Sequence, residues 1–172
     1  MVRAVFAAVV LTVPAFWFDG ASFPLSRGQL GRFVESPFAF VVGTTRDEVE
    51  KRFGRPNQYD QSVVRNPHNH KLSDVIEHLK YEGLDMRLGT FPGATPPSVA
   101  LLSVSITAQK WTLKYGLRVG VSKRQVQRVL RWPEVGFEMA TWKYQNESGT
   151  CSLEFTFRQG RVTRIDWSNE WD

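Results

Sequence analysis

The residues of this chain that could do chemistry are three histidines, His68, His70 and His78, and one cysteine, Cys151. His68 and His70 flank an asparagine in a polar stretch and could present two imidazoles to a metal ion. Zinc sites use three or four converging ligands, and no clear third ligand accompanies this pair. We therefore expect a solvated loop there, with no metal and no other cofactor.

Cys151 could act as a nucleophile if it were exposed beside positive charge. Its alternation with Leu153 and Phe155 instead places it in a strand that faces the core. The sequence also contains no serine nucleophile elbow, phosphate loop, zinc-protease motif or dinucleotide fingerprint. We expect a protein that is not an enzyme, with no catalytic residue and no small-molecule substrate. A single cysteine also rules out an internal disulfide.

Basic residues are concentrated in the middle of the chain, and no acidic residue lies between Asp85 and Glu134. Five cations belong to one predicted helix or its flanks, opposite an apolar stripe: Arg118, Lys123, Arg124, Arg128 and Arg131. Such a surface could bind anionic lipid head groups, lipopolysaccharide phosphates or an acidic protein. A merely solvated face is the alternative.

Two of the six tryptophans, Trp132 and Trp171, fall outside the apolar patterns. Tryptophan is the residue most enriched at binding hot spots. We expect Trp132 to be an exposed anchor beside the basic helix; the alternative is that it closes the core. Trp171, in the carboxyl-terminal tail, could contact a partner or fold back on the chain.

Residues 1–21 have the pattern of a secretory signal, with Arg3 followed by an uncharged apolar run and then a polar break. The run is about 15 residues, shorter than a membrane-spanning helix needs, and Pro14 interrupts it. An uncleaved anchor and a buried helix are the alternatives. We expect a periplasmic or secreted protein, cleaved near Ala21, without a lipid anchor and separated from nucleic acid.

Two stretches of the chain are related at an offset of 77 residues (120 − 43): GTTRDEVEKRFGRP from Gly43 and GVSKRQVQRVLRWP from Gly120. Each predicts a short helix that begins after a hydroxyl residue, Thr45 or Ser122, with Glu or Gln three residues later. This spacing predicts a capping box at both helices.

The two predicted helices differ at their ends. Gly54 suits the positive φ that commonly ends a helix, whereas Arg131 stands at the same place in the second copy. A side chain in that conformation costs about 1 kcal/mol, so the second helix has to end by another means or tolerate strain.

Strand patterns of period two follow each helix, with polar residues at alternate positions. We expect an α+β fold of two tandem helix-plus-antiparallel-strand repeats that share one sheet, with the helices packed on one face. Repeat 1 covers residues 22–109 and repeat 2 covers residues 110–172. The residues 38–42 and 111–115 are predicted as the opening strands of the two copies, and 57–73 as a polar loop.

The shared pattern, Gly-x-Ser/Thr-x-x-x-Val-x-x-x-Phe/Leu-x-x-Pro followed by aromatic strands, resembles the SmpA/OmlA group of small bacterial envelope proteins. Two units in tandem are similar to the β-lactamase inhibitor protein architecture. The resemblance implies a non-catalytic envelope module that binds a protein partner through the free face of its sheet and the loops at the rim of the sheet. An enzyme inhibitor or a toxin-neutralising immunity protein of the same fold is the alternative function.

Overall fold

The computed structural model describes residues 24–40, 42–66, 69–93, 98–131 and 140–170. Within these residues the fold is α+β, with three α-helices and seven strands. The helices are α1 (Arg27–Glu35), α2 (Arg46–Phe53) and α3 (Lys123–Leu130). The strands are β1 (Gln58–Arg65), β2 (Ser73–Tyr81), β3 (Leu84–Phe91), β4 (Ser98–Ile106), β5 (Thr141–Gln145), β6 (Cys151–Arg158) and β7 (Arg161–Asn169).

All seven strands form one antiparallel sheet in the order β1-β2-β3-β4-β7-β6-β5. Strands β1 to β4 pair in chain order, and so do β5 to β7. The β4–β7 pairing joins these two groups, so β5 lies at the edge of the sheet. The expectation of a single antiparallel sheet is confirmed. The predicted loop at 57–73 is wrong over its first half, because β1 occupies residues 58–65 and pairs with β2 along its whole length.

The two predicted helices begin where expected but are capped differently. The Thr45 hydroxyl accepts a hydrogen bond from the Glu48 amide, and the Glu48 carboxylate accepts one from the Thr45 amide, which completes a capping box. The Ser122 hydroxyl accepts from the Gln125 amide at 3.1 Å, but within α3 the return bond is absent. The second capping box is therefore wrong, and a simple N-cap stands in its place.

The two helices end in the same backbone conformation, although only one ends in glycine. Gly54 has φ 79° and ψ −171°, and Arg131 has φ 64° and ψ −168°. Each amide donates to the carbonyl four residues earlier, at 2.9 Å in both cases. Arg131 thus adopts a conformation that normally requires glycine.

Helix α1 was not predicted. It begins with a complete capping box between Ser26 and Gln29, and buries Phe33 and Val34. The Trp167 indole donates a hydrogen bond of 2.7 Å to the Val34 carbonyl, which fastens α1 to β7. Helix α1 also contacts β5 and β6.

The two predicted opening strands do not join the sheet. Phe38 and Leu113 form an isolated bridge with each other, and residues 114–116 form a 3₁₀ turn. The apolar alternation there serves packing, because Phe38 contacts Trp167 edge-on and Leu113 is fully buried.

The core lies on one face of the strands. In β6 the buried residues are Cys151, Leu153, Phe155 and Phe157, and the residues between them are half-buried. Burial of aromatic and branched side chains at this density is the main stabilising term of such a domain. Among the described residues, no helix is long and apolar enough to span a membrane.

Candidate functional site

Four serines form a continuous patch in the middle of the sheet, on the face opposite the core. They lie on three adjacent strands and alternate with buried residues such as Val104, Leu153 and Trp167. Ser103 pairs with Ser168, which pairs in turn with Ser152, while Ser105 is the next outward-facing residue on β4. We call Ser103, Ser105, Ser152 and Ser168 the hydroxyl band.

The hydroxyl band is polar, and its short side chains project little from the sheet. All four side chains are half-buried, and the Oγ atoms of Ser152 and Ser168 are 2.9 Å apart. Short side chains let another polypeptide approach the strands closely, and each hydroxyl can both donate and accept a hydrogen bond. Adjacent strands are about 4.8 Å apart, so the band spans roughly 10 Å across β4, β7 and β6.

Charged residues flank the band on the β2–β3 side. His78 contacts the Asp85 carboxylate across the two strands. Arg87 lies directly opposite both His78 and Ser103, and is exposed. This side of the band therefore offers both signs of charge.

Two carboxylates face each other beside the band, two residues along β6 and β7 from Ser152 and Ser168. Glu154 is the direct cross-strand partner of Asp166, and Lys143 is the partner of Glu154 on its other side. Arg164 Nε lies 2.7 Å from Asp166 Oδ2. Like charges directly opposite each other disfavour strand pairing, and Lys143 and Arg164 are the cations next to this pair.

An open depression of about 480 Å³ lies over this end of the face. Its lining is almost entirely polar: Lys143, Ser152, Glu154, Thr156, Arg164, Asp166, Trp167 and Ser168. An open polar surface of this kind suits a polar side chain of a macromolecular partner better than it suits an apolar small molecule.

A second charged region forms where the β6–β7 turn meets the start of α3. The Lys123 amide donates to the Gly160 carbonyl at 2.8 Å, and Arg161 Nη1 donates to the Gly120 carbonyl at 2.9 Å. Arg118 is close by, because its carbonyl accepts from the Val121 amide. We call this region the cationic end; it comprises Arg118, Lys123, Arg124, Arg158 and Arg161.

Three of the five predicted cationic residues are therefore brought together, and two arginines from a distant strand pair join them. Arg118 and Arg124 are exposed, whereas Lys123 is half-buried with its Nζ 4.7 Å from the centre of the Trp142 ring. Arg128 and Arg131 are exposed farther along α3 and at its end. The predicted anchors Trp132 and Trp171 lie outside the described residues, as do the predicted leader 1–21 and His68.

The remaining candidates for chemistry are separated from one another. Among the described residues, no three His, Cys, Asp or Glu side chains converge as metal ligands. Cys151 is buried, as its strand phase predicted, and desolvation raises the pKa of its thiol. A buried thiol with a raised pKa is a poor nucleophile.

Comparison with protein-family models, with curated proteins and with solved structures finds no match to this chain. The expected resemblance to the SmpA/OmlA group and to the inhibitor architecture thus stays a prediction. The function has to be inferred from the geometry of the sheet face and the cationic end.

Proposed function

We propose that this protein is a non-catalytic interaction module of the bacterial cell envelope, exported to the periplasm or secreted, which binds a protein partner through the outer face of its sheet. The hydroxyl band with its charged margins is the observation that supports this function. It is a wide polar surface in the middle of the sheet, and the like-charged Glu154–Asp166 pair lies beside it.

We also propose that the fold consists of two copies of one unit, α2 with β1–β4 and α3 with β5–β7, whose helices pack on the same face. The shared backbone conformation of Gly54 and Arg131, 77 residues apart (131 − 54), supports this proposal. An arginine held at a glycine conformation is expected when a duplicated backbone is retained while its sequence diverges.

The like-charged pair supports a partner that places a basic group over β6 and β7, beside the band. A Lys or Arg from that partner would relieve the repulsion between Glu154 and Asp166, and such complementarity is a source of specificity. We expect the same pair to lower the stability of the free protein, which is the usual trade-off at a binding surface.

Site-specific photocrosslinking in the producing cell tests the proposal. A benzophenone amino acid at Ser103 or Ser168 is expected to capture one defined protein, and Asp47, exposed on α2, is the control position. The crosslinking experiment is then repeated with Glu154→Gln added to the chain. Glu147→Gln, in the exposed β5–β6 turn, is the matched control.

The proposal requires a crosslinked product from the sheet face whose yield falls with Glu154→Gln and does not fall with Glu147→Gln. It also requires that Glu154→Gln slightly raise the stability of the free protein. A face without any specific product would contradict it. If the captured protein is a hydrolase or a toxin, the same surface belongs to an enzyme inhibitor or an immunity protein instead.

The cationic end supports a further contact with an anionic envelope component, for which lipid phosphates are the simplest candidate. Each basic residue near an anionic surface contributes about 1 kcal/mol. Arg158→Gln with Arg161→Gln is therefore expected to weaken sedimentation with phosphatidylglycerol vesicles, with no effect on phosphatidylcholine vesicles. Tighter binding to DNA duplex than to anionic vesicles at the same salt concentration would contradict this assignment.

A further inference from the structure

Within the described residues, no strand pairs with the outer edge of β1, and the side chains of this strand are unusually exposed. All eight residues of β1 are exposed. Of the five large apolar side chains that are exposed in the described part of the chain, three are on this strand: Tyr59 at 37%, Val63 at 65% and Val64 at 43%. The apolar surface that the fold leaves uncovered is thus concentrated on one edge.

This edge lacks most of the features by which proteins usually block pairing with another chain. Those features are proline, charged residues and above all lysine, a β-bulge or a very short strand. The sequence 58–65, QYDQSVVR, contains no proline and no lysine, and its charged residues are Asp60 and Arg65. Its register with β2 is unbroken over eight pairs, whereas the β3–β4 and β6–β7 pairings each contain a shift.

We infer that the β1 edge pairs with β1 of a second copy of this chain, antiparallel and with the two-fold axis at Gln61. In this register Tyr59 of each copy lies opposite Val63 of the other, so an aromatic–β-branched pair forms twice. Such cross-strand pairs stabilise a sheet. Val63, the most exposed apolar side chain of β1, is thereby covered by Tyr59 of the other copy, and the two-fold symmetry repeats this contact.

The charges of β1 are compatible with this self-pairing. Asp60 of one copy faces Ser62 of the other, and Gln58 faces Val64, so no like charges are directly opposed; the two Asp60 carboxylates are diagonal neighbours. Moving the axis to Ser62 would put the Asp60 carboxylate against Val64, and moving it to Val63 would leave Tyr59 beyond the pairing. The axis at Gln61 is therefore the favoured register.

Tyr59 is already held in place in the single chain. Its hydroxyl donates to Glu77 at 2.8 Å and lies 3.0 Å from Gln61 Oε1, and the Arg46 guanidinium lies 4.0 Å from the centre of its ring. A side chain that is fixed before association loses little entropy on binding. The β1 edge is thus prepared for a partner strand.

Sedimentation velocity tests this proposal by comparing the native protein, purified in the form that the host cell produces, with the Val63→Lys variant. Because the substitution enters a symmetric interface twice, removing both Tyr59–Val63 pairs is expected to weaken self-association by about tenfold. Val99→Lys is the matched control, since Val99 is also exposed, at 41%, but lies on the central strand β4.

Cysteine crosslinking in the cell tests the register. Gln61→Cys places two thiols opposite each other across the axis, so oxidation is expected to give a disulfide-linked homodimer more readily than Ser62→Cys or Val63→Cys does. The native chain, in which the buried Cys151 is the one cysteine, is the control. Circular dichroism checks that each variant is folded.

A native chain that stays monomeric at tens of micromolar, or a Val63→Lys chain that self-associates as the native chain does, would overturn the proposal. Strongest crosslinking at Ser62 or Val63 would overturn the register. A Gln61→Cys chain that couples mainly to another cellular protein would identify a different occupant of the edge, and would overturn the proposal equally.

Discussion

Replacing Arg131 by glycine is expected to stabilise this protein. Arg131 ends α3 with φ 64° and ψ −168°, a region that side chains avoid and that costs about 1 to 3 kcal/mol. Glycine removes this strain but adds about 0.5 to 1 kcal/mol of backbone entropy to the unfolded chain. The net gain is about 1 kcal/mol.

The interactions of the Arg131 backbone do not depend on its side chain. Its amide donates to the Gln127 carbonyl at 2.9 Å, and its carbonyl accepts a bond of 2.8 Å from the buried Tyr144 hydroxyl. Both bonds are available to glycine. The arginine side chain is exposed, so its loss removes little packing.

The reverse substitution at the matching position is the control. A Cβ built on Gly54 would have no heavy atom within 4 Å, so Gly54→Ala tests the backbone conformation without a steric clash. It is expected to cost about 1 kcal/mol or more.

Urea unfolding followed by tryptophan fluorescence measures both variants. Arg131→Gly should raise the midpoint at an unchanged m-value, with a rise in Tm of about 2 to 4 °C for each kcal/mol in a chain of this size. A lower midpoint for Arg131→Gly, or no change for Gly54→Ala, would refute the assignment of strain. If Arg131→Gly also weakens binding to anionic vesicles, the arginine is retained for its charge.

Thr45→Ala and Ser122→Ala should each lower the free energy of unfolding by about 1 kcal/mol in denaturant titrations, and equal stability of variant and native chain would mean that the helix starts are misplaced. The amides of Thr44 and Thr45 lower the pKa of Glu48, so its contribution is present above the ordinary glutamate pKa and is lost as the pH falls through the lowered value. Glu48→Gln should accordingly flatten the acid side of the stability curve, and a curve as steep as that of the native chain would argue against the capping box. Cys151, whose pKa is raised by burial, should react with a bulky thiol reagent only on unfolding, and rapid labelling of the native protein would contradict its position in β6.

Strand β6 was predictable because apolar and polar residues alternate in its sequence, and buried and half-buried residues alternate in the same way in the structure. Strand β1 was not, since an edge strand with all eight residues exposed has no apolar alternation to detect. Helix α1 contains two glycines, Gly28 and Gly31, and is held by tertiary contacts that local propensity does not report. Its Ser26–Gln29 capping box was the local signal that could have revealed it.

The candidate site was predictable only in part. The basic character of α3 is local in the sequence, so Lys123 and Arg124 could be identified directly. Arg158 and Arg161 reach the same region because the β6–β7 turn contacts the start of α3, which is a tertiary event. The hydroxyl band needs the β4–β7 register, and no local pattern determines which distant strands become neighbours.

The β4–β7 pairing has a consequence for the order in which the protein folds. It contains four residue pairs, against eight between β1 and β2, and it joins residues 59 to 65 positions apart (165 − 106 and 168 − 103). Because closing a long loop is slower than forming hairpins, we expect this pairing to form last. Ser103 and Ser105 lie on one side of it and Ser168 on the other, so the hydroxyl band does not exist until the sheet is complete. A partner that binds this face would thereby distinguish finished molecules from nascent ones.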